Sequence, residues 1–164
     1  MPLFAITPSV LTVDALAAET ARLVSGAGEG CGAVTTFVGL VRAHHQGRRV
    51  LYLEYEAYEA LALKSFAQIQ DEATEFWPGV VMGMHHRTGR LEIGEASIVI
   101  AAASAHRAPS FEVCRYAIER VKQIAPIWKH EYFEGGAAWV EGAVADPTDV
   151  EARQMAKARS CSSA

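Results

Sequence analysis

The stretch RVKQIAPIWKHEYF (Arg120–Phe133) decides how the chain is read. It carries two lysines, Lys122 and Lys129, on either side of a proline. In an unbroken helix, residues seven apart lie two turns apart on one face. Pro126 forbids that continuity, because it disfavours helical geometry at Ala125 and has no N–H to donate. The spacing therefore predicts a helix that ends with Lys122 in its last turn, and a turning, extended chain that carries Lys129.

Working outward, APSFEVCRYAIERVKQIA reads as the helix before that break. Phe111, Cys114, Ile118, Val121 and Ala125 form its apolar stripe, and Pro109 lies in its first turn. VVMGMHHR and EASIVIAAASA read as strands joined by TGRLEIG. IWKHEYF and AAWVEG read as strands around EGG. Toward the N-terminus, LFAIT is a short strand, and Asp14 caps a helix from Ala15 to Ser25 that Gly26 stops. AVTTFVGLVR is a well-buried strand and AHHQGR a polar connection. RVLYLEYEAY alternates, with Leu51, Leu53 and Tyr55 on one face, as a half-buried strand. Glu59 to Phe76 is amphipathic, with Ala62, Phe66, Ile69, Ala73 and Phe76 at steps of three and four.

Helices and strands are interspersed without a regular βαβ repeat or a glycine-rich phosphate loop, so the class is α+β. No internal repeat or interdomain linker is visible. Residues 1–145 are expected to form one domain, and residues 146–164, poor in apolar surface, a loosely held tail.

The chain has 164 residues and is long enough to bury a substantial core. Its formal net charge of −4 argues against broad binding of nucleic acid or an anionic membrane. Cys31, Cys114 and Cys161 are odd in number and far apart, which suits neither a disulfide framework nor a zinc site. No signal peptide or membrane span is read, and a cytoplasmic protein is expected.

Any basic site must then be local. His106 and Arg107 follow an apolar strand and precede a helix, where free N–H groups favour phosphate or carboxylate. The plainer reading pairs Arg107 with a carboxylate such as Glu112. Lys122 can run along apolar surface with its ammonium at the edge, whereas Lys129 follows Trp128 on a strand; either could equally be a solvated charge. Arg42 ends an apolar strand. His85 and His86 are adjacent on a strand and point apart, and His44 and His45 lie in a loop with no nearby acidic partner, so no metal is expected. Cys114 reads as an inert core residue. These residues suggest a cluster of Arg42, Arg107, Lys122 and Lys129 suited to a small anion, without naming a reaction.

FVGLVR, HRTGRLEIGE, SAHR and PIWKHE, in that order between Gly32 and Gly142, closely resemble the large catalytic subunit family of molybdopterin synthase. The resemblance implies an α+β fold of the α/β-hammerhead type with additional antiparallel strands. It implies an enzyme that places two sulfurs on cyclic pyranopterin monophosphate as a dithiolene. The sulfur arrives as a thiocarboxylate on the C-terminal Gly-Gly tail of a ubiquitin-like small subunit, and the large subunit dimerises within a heterotetramer. No cofactor is implied. By motif, Arg42, Arg107 and His106 hold the phosphate, while Leu40 and Val41 line the same segment. Lys122 is the principal acid or base, and Lys129, followed by His130 and Glu131, stabilises anionic charge or the incoming carboxyl terminus. Relatives usually carry Lys or Arg where this chain has His130, so charge there depends on pH. The other reading is a non-catalytic module of the same fold that keeps the anion pocket and the partner groove.

Overall fold

The computed structural model describes residues 1–25, 30–140, 142 and 145–161. In chain order the elements are β1 (Phe4–Thr7), α1 (Val13–Ser25), β2 (Ala33–Leu40), β3 (His44–His45), β4 (Arg48–Ala57), α2 (Glu59–Phe76), β5 (Val81–Arg87), β6 (Gly89–Glu92), β7 (Ala96–Ser104), α3 (Arg107–Ile124), β8 (Ile127–Phe133), β9 (Gly136–Val140) and α4 (Val150–Cys161). The expected stop at Gly26 lies outside the described residues. Pro126 acts as its chemistry requires: α3 ends at Ile124, Ala125 turns extended at φ −77° and ψ 124°, and β8 begins at Ile127.

Two sheets organise the chain. The first runs β1-β5-β7-β2, antiparallel except for the parallel β1–β5 pair. Its strand β7 is buried on both faces, which explains the unbroken apolar run of its sequence. Ile98, Ile100 and Ala102 point into the main core with Phe66, Ile69, Val113 and Tyr116 of α2 and α3. Val99 and Ala101 point the other way, onto Leu16 of α1. Gly83 admits that helix: a Cβ there would lie 2.5 Å from Leu16 Cδ1. In the second sheet β4 carries β8 on one edge and both β3 and β6 on the other, with β9 beyond β8. Val41, Val50, Leu53 and Leu91 form its own small core. The α+β class with largely antiparallel sheets is as expected.

Several local expectations need correcting. TGRLEIG contains β6 and AHHQGR contains β3, both too short to show periodicity. AVTTFVGLVR is only half-buried and leaves the sheet after Leu40. Leu51 is exposed although it alternates with Leu53, because the register on β8 shifts between Val50 and Tyr52 and a bulge inserts it.

Of the expected loose tail, residues 146–161 are described, and helix α4 holds them against the domain. Asp149 Oδ1 accepts from the N–H groups of Glu151 and Ala152 at 2.9 and 3.0 Å, capping α4. Ala152, Ala156 and Ser160, one turn apart, are buried where α4 lies on α3. Small residues bury little apolar area but allow close approach, which composition does not reveal.

α2 and α3 are joined by a buried charge network. Arg120 has no exposed surface; its Nε and Nη2 donate to the two oxygens of Glu72 at 2.8 and 2.7 Å. Tyr116 Oη donates to the same carboxylate at 2.6 Å and Gln68 Nε2 at 2.9 Å. Burial alone would raise the Glu72 carboxyl, but Arg120 and these donors outweigh it and hold it below its ordinary value. Glu72→Gln leaves the guanidinium buried without a counter-charge. It is expected to lower the unfolding free energy by about 3–5 kcal/mol in urea denaturation at neutral pH.

Candidate active site

Helix α3 follows β7 and returns along the same sheet, and this sets the positions of the basic residues. β7 covers about 27 Å at the usual strand rise, and α3 covers about the same length at the helical rise. Arg107 opens α3, with His106 as its extended N-cap residue, and Ser104 Oγ donates to the His106 carbonyl at 2.5 Å. Lys122 lies in the last turn. From position 107 to 122 the helix rises about 22 Å. Arg42 leaves the sheet at the end away from Arg107, since Leu40 pairs with Ala96 and the Val41 N–H donates to the Glu95 carbonyl at 3.0 Å. Arg42 and Arg107 are thus on the order of 30 Å apart.

A single chain therefore does not gather the expected four cations. Arg42 and Lys122 share one end of the sheet, while His106 and Arg107 occupy the other. Arg42, Arg107 and Lys122 are all exposed, and none forms an ion pair among the described residues. Glu112, the plainer partner suggested for Arg107, instead accepts from Trp77 Nε1 at 2.5 Å. Val41 is 3% exposed and belongs to the second core, whereas Leu40 is 57% exposed.

Lys129 has a different environment. It stands opposite Tyr55 on β4, and its Nζ lies 3.0 Å from Oε1 of Glu131, two residues along the same face of β8. The other oxygen of Glu131 lies 2.8 Å from His45 Nδ1. Burial acts to raise the Glu131 carboxyl, but hydrogen bonds from His45 and Lys129 together hold it below its usual range. The expectation that His45 lacks an acidic partner is thus corrected. No sequence signal could have revealed it, because the partner comes from a distant strand. His130 faces the opposite side of β8: it stacks on Trp139 with ring centroids 4.5 Å apart and leans on Tyr132 at 4.6 Å. It does not share a face with Lys129 and Glu131.

The remaining candidates are inert. Burial pushes the Cys114 thiol up to about 12. His85 Nε2 lies 2.9 Å from the Pro2 carbonyl, and His86 Nδ1 lies 2.9 Å from that of Arg87. Among the described residues no group of His, Cys, Asp and Glu could hold a metal ion. No helix among them is long and apolar enough to cross a membrane.

The MoaE protein family matches residues 8–124, well over half the chain. The chain belongs to that family. The matched span contains Leu40, Val41, Arg42, His106, Arg107 and Lys122, and ends before Lys129. The molybdopterin synthase catalytic subunit of Halalkalibacterium halodurans is 52% identical over 109 residues, covering 66% of this chain and 70% of its own length. That of Bacillus subtilis is 51% identical over the same length, 69% of its own. Among solved structures, molybdopterin synthase from Staphylococcus aureus superposes with a TM-score of 0.79 at 39% identity, covering 86% of this chain and 98% of that one. A complex of subunits 1 and 2 of molybdopterin-converting factor from Helicobacter pylori superposes at 0.67 and 26% identity, covering 85% and 91%. Both structural matches extend past Pro126 in coverage, so the family fold includes more than the matched sequence span.

One buried group near Lys129 gives a pH dependence. His86 packs edge-on against the Tyr55 ring with centroids 5.0 Å apart, and burial pushes its imidazole down to about 4 from 6.5. Between those values the unfolded chain takes up a proton that the folded one refuses. The stability that His86 contributes is therefore complete above pH 6.5, falls as the pH drops toward 4, and levels off below that. The loss is expected to be roughly 3 kcal/mol. His86→Phe, which keeps the ring packing, should flatten this slope when urea unfolding is compared at pH 7 and 4.5.

Proposed function

We propose that this chain is the catalytic subunit of a molybdopterin synthase, transferring sulfur from the C-terminal thiocarboxylate of a ubiquitin-like small subunit to cyclic pyranopterin monophosphate. The observation that carries this reading is family membership combined with the retention of both lysines about the α3–β8 turn. The protein works in the cytoplasm, with three free cysteines suited to a reducing compartment.

The placement of the cations supports a site shared between two copies. A pterin monophosphate is far shorter than the separation between Arg42 and Arg107. One copy supplies Arg42, Lys122 and Lys129, and the second supplies His106 and Arg107 from its α3 start. The phosphate then rests on guanidinium groups and helix N–H donors. Lys122, exposed and unpaired among the described residues, exchanges protons with the reacting pterin. Lys129, anchored by Glu131, faces the negative charge that develops on the incoming thiocarboxylate. The small subunit delivers its flexible Gly-Gly tail to the same place. A sheet face bearing exposed Trp128 and Trp139 leaves the subunit apolar surface for protein contacts.

Turnover is measured as dithiolene formation from thiocarboxylated small subunit and cyclic pyranopterin monophosphate. Lys122→Ala is expected to abolish product while the fold persists; full activity would refute its role, whereas a wild-type protein that binds both partners without forming product would favour a non-catalytic module. Arg107→Ala and Lys122→Ala variants, inactive alone, should regain about a quarter of wild-type activity when subunits are exchanged in equal amounts, because half the dimers then hold one intact site of two. No recovery despite exchange would overturn the shared site.

A further inference from the structure

We propose that His45 is a positioning residue for the amine of Lys129, acting through the carboxylate of Glu131. The inference rests on the reading that Lys129 works at the reacting centre. The Glu131 side chain is 3% exposed, so both oxygens depend on partners inside the protein. Oε1 meets Lys129 Nζ at 3.0 Å and Oε2 meets His45 Nδ1 at 2.8 Å. With one corner released, the carboxylate could swing about its side-chain torsions and carry its charge away from the ammonium. With both corners held, its plane is set. Lys129 has no other ion-pair partner among the described residues, so the place of its ammonium follows from Glu131. The place of Glu131 follows in turn from His45.

The backbone around His45 is built to hold that imidazole. His45 pairs with Arg48 across a two-residue turn, Gln46–Gly47, in which both residues have positive φ, 48° and 75°. This is the tight hairpin geometry whose twist matches the flanking strands. Gln46 is the one non-glycine residue with positive φ among those described, a backbone cost borne beside the site. The neighbouring cations on the hairpin are engaged elsewhere. Arg48 lies over the Phe133 ring and donates to Gln46, and Arg49 pairs with Glu134. Neither competes for Glu131. Because a carboxylate only accepts, His45 serves with its proton on Nδ1, in the neutral or the cationic form.

The test compares kcat and KM for cyclic pyranopterin monophosphate in His45→Ala, His45→Leu and His45→Asn, with Lys129→Ala as control and thermal unfolding followed for each. Ala and Leu are expected to lower kcat roughly ten- to hundredfold, the range for losing a hydrogen bond to a charged group, with KM little changed. Leu fills the space without donating, so its loss cannot come from a cavity. Asn places an amide nitrogen where Nδ1 stood and should restore most of kcat. Wild-type kcat in His45→Ala beside an inactive Lys129→Ala overturns the role of His45 alone. So does an Asn variant no faster than Leu. A fully active Lys129→Ala instead removes the underlying reading of Lys129, whatever the His45 variants do.

Discussion

A guanidinium with no exposed surface, gripped by the carboxylate of Glu72, is the constraint on which the remaining architecture depends. The pair locks α2 to α3 in the middle of the core, with Tyr116 and Gln68 completing the carboxylate's partners. Arg120 Nη1 also donates to Gln123 at 2.9 Å, and Gln123 Nε2 donates to the Ala152 carbonyl of α4. Such a network is not an efficient source of stability, since an apolar replacement of the same shape can do as well. Its consequence is specificity of arrangement: only one rotation and one height of α3 on α2 satisfy every donor.

That fixed helix is also the ruler of the functional surface. Because α3 follows β7 and runs back along it, its two ends place His106 and Arg107 at one end of the sheet and Lys122 at the other. At the second sheet, the alternation of β8 performs a further separation. Lys129 and Glu131 turn inward toward Tyr55 and His45, while His130 joins a half-buried column of rings with Trp139, Tyr132 and Tyr52. The side chain at position 130 therefore belongs to the outer face of the sheet and not to the charges beside Lys129.

Burial sets opposite tasks for the ionisable groups. Where hydrogen bonds and opposite charge outweigh it, as at Glu72 and Glu131, the charged carboxylate is kept; where burial dominates, as at Cys114 and His86, the neutral form is kept. The first kind anchors other side chains, and the second serves as packing.

Much of the fold was legible in local chemistry. Pro126 ends α3, and apolar positions at steps of three and four mark α2 and α3. The apolar run of β7 marks a strand buried on both faces, and the turn Glu134–Gly135 carries β8 into β9. The motifs likewise pointed to Arg42, His106, Arg107, Lys122 and Lys129. What stayed hidden depends on contacts between distant segments. Strands as short as β3 and β6 have no period to detect. The bulge at Leu51 depends on the register with β8, and α4 packs through alanines that look indifferent to burial. The clasp of His45 on Glu131 joins strands that only the folded sheet brings together. The sequence by itself determined which side chains carry charge and where the longer helices and strands lie, because those follow from residue chemistry and spacing along the chain. Only the tertiary structure decided which charges stand together, because a helix laid back along its own strand puts its two ends at opposite sides of the domain.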